Sequence, residues 1–175
     1  MGRLLMRRPI AVTLLLLILA GAACAPPFTS QPRESVIRSV SDPFTGVTTH
    51  RQQVSLPTPP GRSITFSVSV SDTYRHLCLG VTYTGNTWLF AEGFRFLVDG
   101  EVLSYRSRSS RSVAGGRVIE VMTTCFSGNN VFRQILEAES VLLGIQGRSN
   151  INVRFDYELR QRFNEFYLMY ASRMP

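Results

Sequence analysis

A mainly β fold of α+β character is predicted: an antiparallel sheet or sandwich of about seven to eight short strands, with one short helix and a C-terminal amphipathic helix. Three observations predict it. From Val47 onward apolar residues recur at every second position, the dipeptide Asp99-Gly100 separates two apolar runs, and the period becomes helical in only two segments.

The strands come first in the argument. Ile64, Phe66, Val68 and Val70 alternate with Thr65, Ser67 and Ser69, and Leu77, Leu79, Val81 and Tyr83 alternate with Cys78, Gly80 and Thr82. That is the pattern of a strand with one buried face. Further apolar runs cover residues 88–90, 94–98, 102–105, 118–126, 141–145 and 151–155. Asp99-Gly100 predicts a hairpin between two of them, because both central positions of the favoured two-residue turn take positive φ. The first helix is predicted over residues 131–139, where Phe132, Ile135 and Leu136 share a face behind the candidate N-caps Asn129 and Asn130. The second runs over residues 156–170, with Leu159, Phe163, Phe166, Tyr167 and Tyr170 on one side and Asp156 as N-cap. No internal repeat is visible.

At its N-terminus the chain reads as an export signal. A basic stretch, MGRLLMRR, precedes an apolar run over residues 10–20, too short for the roughly 20 residues that span a bilayer but suited to a signal peptide. The small residues Ala20, Gly21, Ala22 and Ala23 then lead into Cys24. This AGAAC sequence resembles the lipobox of bacterial lipoproteins, in which the cysteine becomes the lipidated first residue. It departs from the family in one respect, with Gly21 where Leu, Val or Ile is usual. Ordinary cleavage after Ala20-Gly21-Ala22 is the alternative, giving a soluble periplasmic or secreted protein. The resemblance implies lipidation at Cys24, and Ala25 after the cysteine resembles the pattern sorted to the outer membrane, facing the periplasm. Residues 1–23 are thus assigned to the signal peptide, 24–41 to the lipid anchor and a Pro-rich tether, and 42–175 to a single β-rich domain.

Composition narrows the function. All 19 basic residues are arginine, against 12 acidic ones; with Arg3, Arg7 and Arg8 removed, 16 face 12 and the mature net charge is +4. That is mildly basic, and in an exported protein it gives no footprint for nucleic acid. An all-arginine basic set also points to a GC-rich coding background, which weakens arguments from single arginines. The segment DPFTGVTTH, residues 42–50, resembles small exported domains of Gram-negative bacteria, and the resemblance implies no particular chemistry.

Four groups of residues merit chemical weighing. Cys78 and Cys125 each fall in a predicted strand in a disulfide-permissive compartment, and they are expected to pair. His50 and His76 are the only histidines. Asp72 lies near His76 in sequence, but no G-x-S-x-G or H-E-x-x-H motif accompanies either, so no catalytic residue, metal ligand or cofactor is assigned. Arg106, Arg108, Arg111 and Arg117 punctuate SYRSRSSRSVAGGRV, read as an exposed polar loop that either grips an anionic group or only keeps the protein soluble. Trp88, Phe90, Phe94 and Phe96 either line a pocket for a lipid or peptide or fill the core. The expectation is a non-enzymatic envelope lipoprotein that binds a protein partner as an accessory or structural component. The alternatives are a carrier or sensor of an amphipathic or anionic ligand, and a hydrolase with a non-standard site around His76.

Overall fold

The computed structural model describes residues 34–56, 58, 60–72, 76–172 and 174. The signal peptide, Cys24 and residues 24–33 of the expected tether lie outside them. In chain order the elements are β1 (Glu34–Ser41), β2 (Thr48–Leu56), β3 (Ser63–Ser71), β4 (His76–Gly85), β5 (Gly93–Val98), β6 (Glu101–Arg106), β7 (Arg108–Ala114), β8 (Arg117–Ser127), α1 (Asn130–Glu137), β9 (Val141–Gln146), β10 (Ile151–Arg154) and α2 (Tyr157–Phe166). A π-type turn, Tyr167–Ala171, continues α2.

The ten strands form two antiparallel sheets, one ordered β1-β2-β3-β4-β8-β7 and the other β10-β9-β5-β6. Alternation decides which faces meet. On β3, Ile64, Phe66, Val68 and Val70 are buried, and on β4 Leu77, Leu79, Val81 and Tyr83 are. They face Phe94, Phe96 and Val98 of β5 and Leu143 and Ile145 of β9 across a single core. The four-stranded sheet is the narrower layer, and α2 packs beside it on β2. Edge-on aromatic contacts link the layers: Phe155 lies 5.3 Å from Phe66 and 6.4 Å from Phe96, and Tyr105 lies 5.0 Å from Phe126. Such pairs add about 0.5–1.5 kcal/mol each beyond burial.

Three strands lie outside the expected runs: β2, within the alternating stretch that begins at Val47, and the two edges β1 and β7. Glu34–Ser41, assigned to the tether on sequence, pairs along its whole length with β2. The polar stretch after Tyr105, expected to be a loop, contains β7, which pairs with β8 from Arg108 to Ala114. Neither buries a face, since all seven residues of β7 are exposed, and so neither shows alternation. Conversely, the run at residues 88–90 is not a strand, and Phe90 adopts φ +52°.

The turns follow expectation more closely. Asp99 and Gly100 have φ of +47° and +90° and join β5 to β6. Asp156 caps α2 by accepting the Leu159 N–H at 2.9 Å. Asn129 stands at the N-cap of α1, but its side chain instead donates to the Ala171 and Met174 carbonyls, securing the C-terminal turn.

Candidate functional site

Where β6 passes into β7 the chain leaves one sheet for the other, and Ser107 is the only residue between them. This corner brings together residues from four parts of the chain. Glu120, on the inward row of β8 beside Val118 and Met122, is fully buried. A buried carboxylate is stable only when its lone pairs are satisfied. Here they are: Oε1 accepts the backbone N–H of Leu89 and that of Phe90 (2.9 Å), and Oε2 accepts that of Ala91 (3.1 Å) and Nε of Arg111 (3.3 Å). Three successive N–H groups converging on one carboxylate fold residues 89–91 inward and account for the left-handed backbone at Phe90, a conformation that costs a non-glycine residue about 1–2 kcal/mol.

The consequence is a partly exposed phenyl ring at the rim. The guanidinium carbon of Arg111 lies 5.3 Å from its centroid and that of Arg148 lies 4.7 Å away, both within cation–π range. Arg111 also donates to the Ala91 carbonyl at 3.3 Å, and the Arg148 backbone N–H donates to the Leu89 carbonyl at 2.7 Å. Beside this ring lies an open groove of about 680 Å³ whose lining includes Ser104, Tyr105, Arg106, Ser109, Arg111 and Glu92. A neighbouring depression of about 590 Å³ adds Arg148 and Asn150 and shares Glu92 and Gln146 with it. Burial holds the Tyr105 phenol above its ordinary range, with Glu101 acting in the same direction, so its hydroxyl stays protonated at neutral pH.

The four predicted arginines are divided by the fold. Arg106 and Arg111 line the groove. Arg108 and Arg117 stand on the outer face of the hairpin, by their register opposite Thr123 and Ala114. Arg148, which sequence did not single out, joins the first two, and the only cue to it was its place in a polar turn. Of the four aromatic candidates, Phe94 and Phe96 fill the core, Trp88 packs against it, and Phe90 alone reaches the site.

The remaining candidates lie elsewhere. Cys78 and Cys125 face each other across β4 and β8 with their sulfurs at disulfide distance, 2.02 Å. Asp72 does not serve His76. It lies 3.3 Å from Nε2 of His50, whose Nδ1 is 2.7 Å from the Ser39 hydroxyl and whose ring stacks on Tyr170 at 4.2 Å. The hydrolase reading around His76 thereby loses its carboxylate, and the His50 group acts as a clasp joining β1, β2 and the C-terminal turn. Among the described residues no cluster of His, Cys, Asp or Glu is suited to hold a metal ion.

No protein-family model, curated protein or solved structure matches the chain.

Proposed function

We propose that this chain is a lipid-anchored binding module, held at the outer membrane through Cys24 and facing the periplasm, which serves as an accessory component of an envelope complex. The corner between β6 and β7 is its binding site, and an anionic group on the partner is what it recognises. One observation carries the reading: Arg111 and Arg148 stack on a partly exposed Phe90 whose unfavourable backbone is held in place by a fully buried glutamate, and Arg106 lines the groove beside them with Arg111. A solubilising surface has no need of a strained backbone or a buried charge. Guanidinium groups fixed by packing offer paired donors to a carboxylate or phosphate at little further cost in side-chain entropy. The address rests on the N-terminal sequence alone: the basic stretch, the apolar run, AGAAC and Ala25.

Crosslinking in intact cells tests the reading. Arg106 and Arg148 are the positions to change, because Arg111 is tied to Glu120 and its loss would confound folding with binding. Arg106→Gln/Arg148→Gln should abolish the crosslinked species while leaving the melting temperature within a degree or two, since exposed charges contribute about 0–1 kcal/mol. Added salt should reproduce the loss, because the screening length falls from about 8 Å at physiological ionic strength to about 3 Å at 1 M. A variant that crosslinks like the wild type would remove the corner as the binding site.

A further inference from the structure

We propose that β7 receives an extended acidic segment of the partner protein as an additional strand of the six-stranded sheet. The inference rests on the reading above, that the corner binds an anionic partner, and adds how it binds and what the partner presents.

The register shows which backbone groups are free. Cys78 and Cys125 oppose one another with Cα atoms 4.0 Å apart, which matches the closer, non-hydrogen-bonded kind of antiparallel pair (about 4.5 Å) rather than the hydrogen-bonded kind (about 5.5 Å). The backbone N–H and C=O of Cys125 therefore point away from β4, toward the β7 side. By the two-residue alternation, so do those of Thr123, Val121 and Ile119. Their partners Arg108, Ser110 and Ser112 direct their backbone groups to β8. Ser109, Arg111 and Val113 accordingly turn theirs outward, along an edge that no other strand covers among the described residues.

Charge selects the occupant. Residues 102–119 contain four arginines and no acidic residue. Arg108 and Arg117 lie on one face of the hairpin and Arg111 on the other, so a strand added at this edge meets arginine on both sides. Its inward side chains run beside the groove that Arg106 lines. Main-chain hydrogen bonds supply affinity in such additions, and the alternate side chains supply specificity. β1, the opposite edge of the sheet, carries a single arginine and leads back to the expected tether.

The probe is a dye-labelled peptide of about eight residues alternating glutamate with valine, followed by fluorescence anisotropy. Two perturbations separate strand addition from charge attraction. Ser109→Pro/Val113→Pro removes outward N–H groups, which an edge strand tolerates because its ladder to β8 is untouched. N-methylation along the peptide removes the donors from the other side while keeping its charge. Each should weaken binding at least tenfold, and the unmodified peptide should slow amide exchange at Ser109, Arg111 and Val113. If the N-methylated peptide binds as well as its parent, strand addition is wrong and charge alone holds the partner, which leaves the proposed function standing. Failure of the unmodified peptide to bind, while crosslinking still depends on Arg106 and Arg148, also overturns strand addition alone. Should the proline variant unfold, the N-methylated peptide decides the question with wild-type protein.

Discussion

Replacing Glu120 with alanine removes the acceptor of three backbone N–H groups at once. Leu89 and Ala91 are 3% and 1% exposed, so water does not reach their amides without opening the fold, whereas Phe90 is 37% exposed and its amide can rehydrate. An unmet buried donor costs about 1–3 kcal/mol, so the two buried donors together cost about 2–6 kcal/mol. Relief from holding a carboxylate in the core offsets part of this, and Arg111, more than a third exposed, is screened when it loses its partner. The expected net loss is about 2–4 kcal/mol, a large share of the roughly 5–15 kcal/mol typical of a domain. Urea unfolding should show a lower midpoint with an unchanged slope. Amide exchange at Leu89, Phe90 and Ala91 should accelerate more than exchange in β3 and β4. Glu120→Gln keeps the oxygen facing Leu89 and Phe90 but turns an amide NH2 toward the Ala91 N–H, and it should fall between alanine and wild type. A loss under about 1 kcal/mol in Glu120→Ala, with exchange at residues 89–91 unaltered, would refute the claim that Glu120 holds the Phe90 segment in shape.

Reducing the Cys78–Cys125 pair, or replacing both residues with serine, should lower stability by about 4 kcal/mol on the chain-entropy model for a sequence separation of 47, as read by chemical denaturation with and without reductant; equal stability of the two forms would contradict this. Cys24→Ala should move the protein from the membrane to the soluble fraction and abolish incorporation of labelled palmitate, while its near-ultraviolet circular dichroism stays native. Asp99 is held below the ordinary carboxylate range chiefly by the N–H of Ser140, so its contribution is present above an unfolded pKa of about 3.9 and is lost as pH falls through the lower folded value. Asp99→Asn should therefore flatten the decline of melting temperature below about pH 4, and an unchanged acid limb would refute its part in it.

The contrast between legible and hidden elements has a physical cause. β3, β4, β5 and β8 each bury one face, and burial writes itself into sequence as alternation; the helix from residue 157 did so at its own period. β1 and β7 bury almost nothing, so selection left no period in them, and ESVIRSVS and RSSRSVA look like linker and loop. The site was half visible for a related reason. A cluster of arginines is plain in sequence, but its grouping depends on Glu120, the one acidic residue of β8, reaching 29 to 31 positions back along the chain. A lone glutamate on the inward row of a strand, where Val118 and Met122 flank it, was the signal available. Arg148 offered only its place in a polar turn, because its neighbour in space is set by how β9 lies beside β5.

The place of the corner within the sheet bears on which kind of partner can reach it. Register runs straight from Glu34 through Ser55, Thr65, Thr82 and Val121 to Ser110, so the start of β1 and the middle of β7 occupy one row, five strand spacings apart. At about 4.8 Å per spacing that is about 24 Å. On the proposed anchoring, the ten residues from Cys24 to the start of β1 reach about 30 Å if extended at about 3.1 Å each. On that proposal, a domain hung by β1 would present β7 away from the membrane. To bring the β7 edge against lipid headgroups, the tether would have to run back along the sheet, using most of its reach. A periplasmic partner makes no such demand. Deleting residues 28–32 halves the reach to about 15 Å, which forbids the folded-back arrangement and leaves the outward one intact. Crosslinking that depends on Arg106 and Arg148 should survive the deletion, and its disappearance in a protein still anchored and folded would mean that the corner faces the membrane.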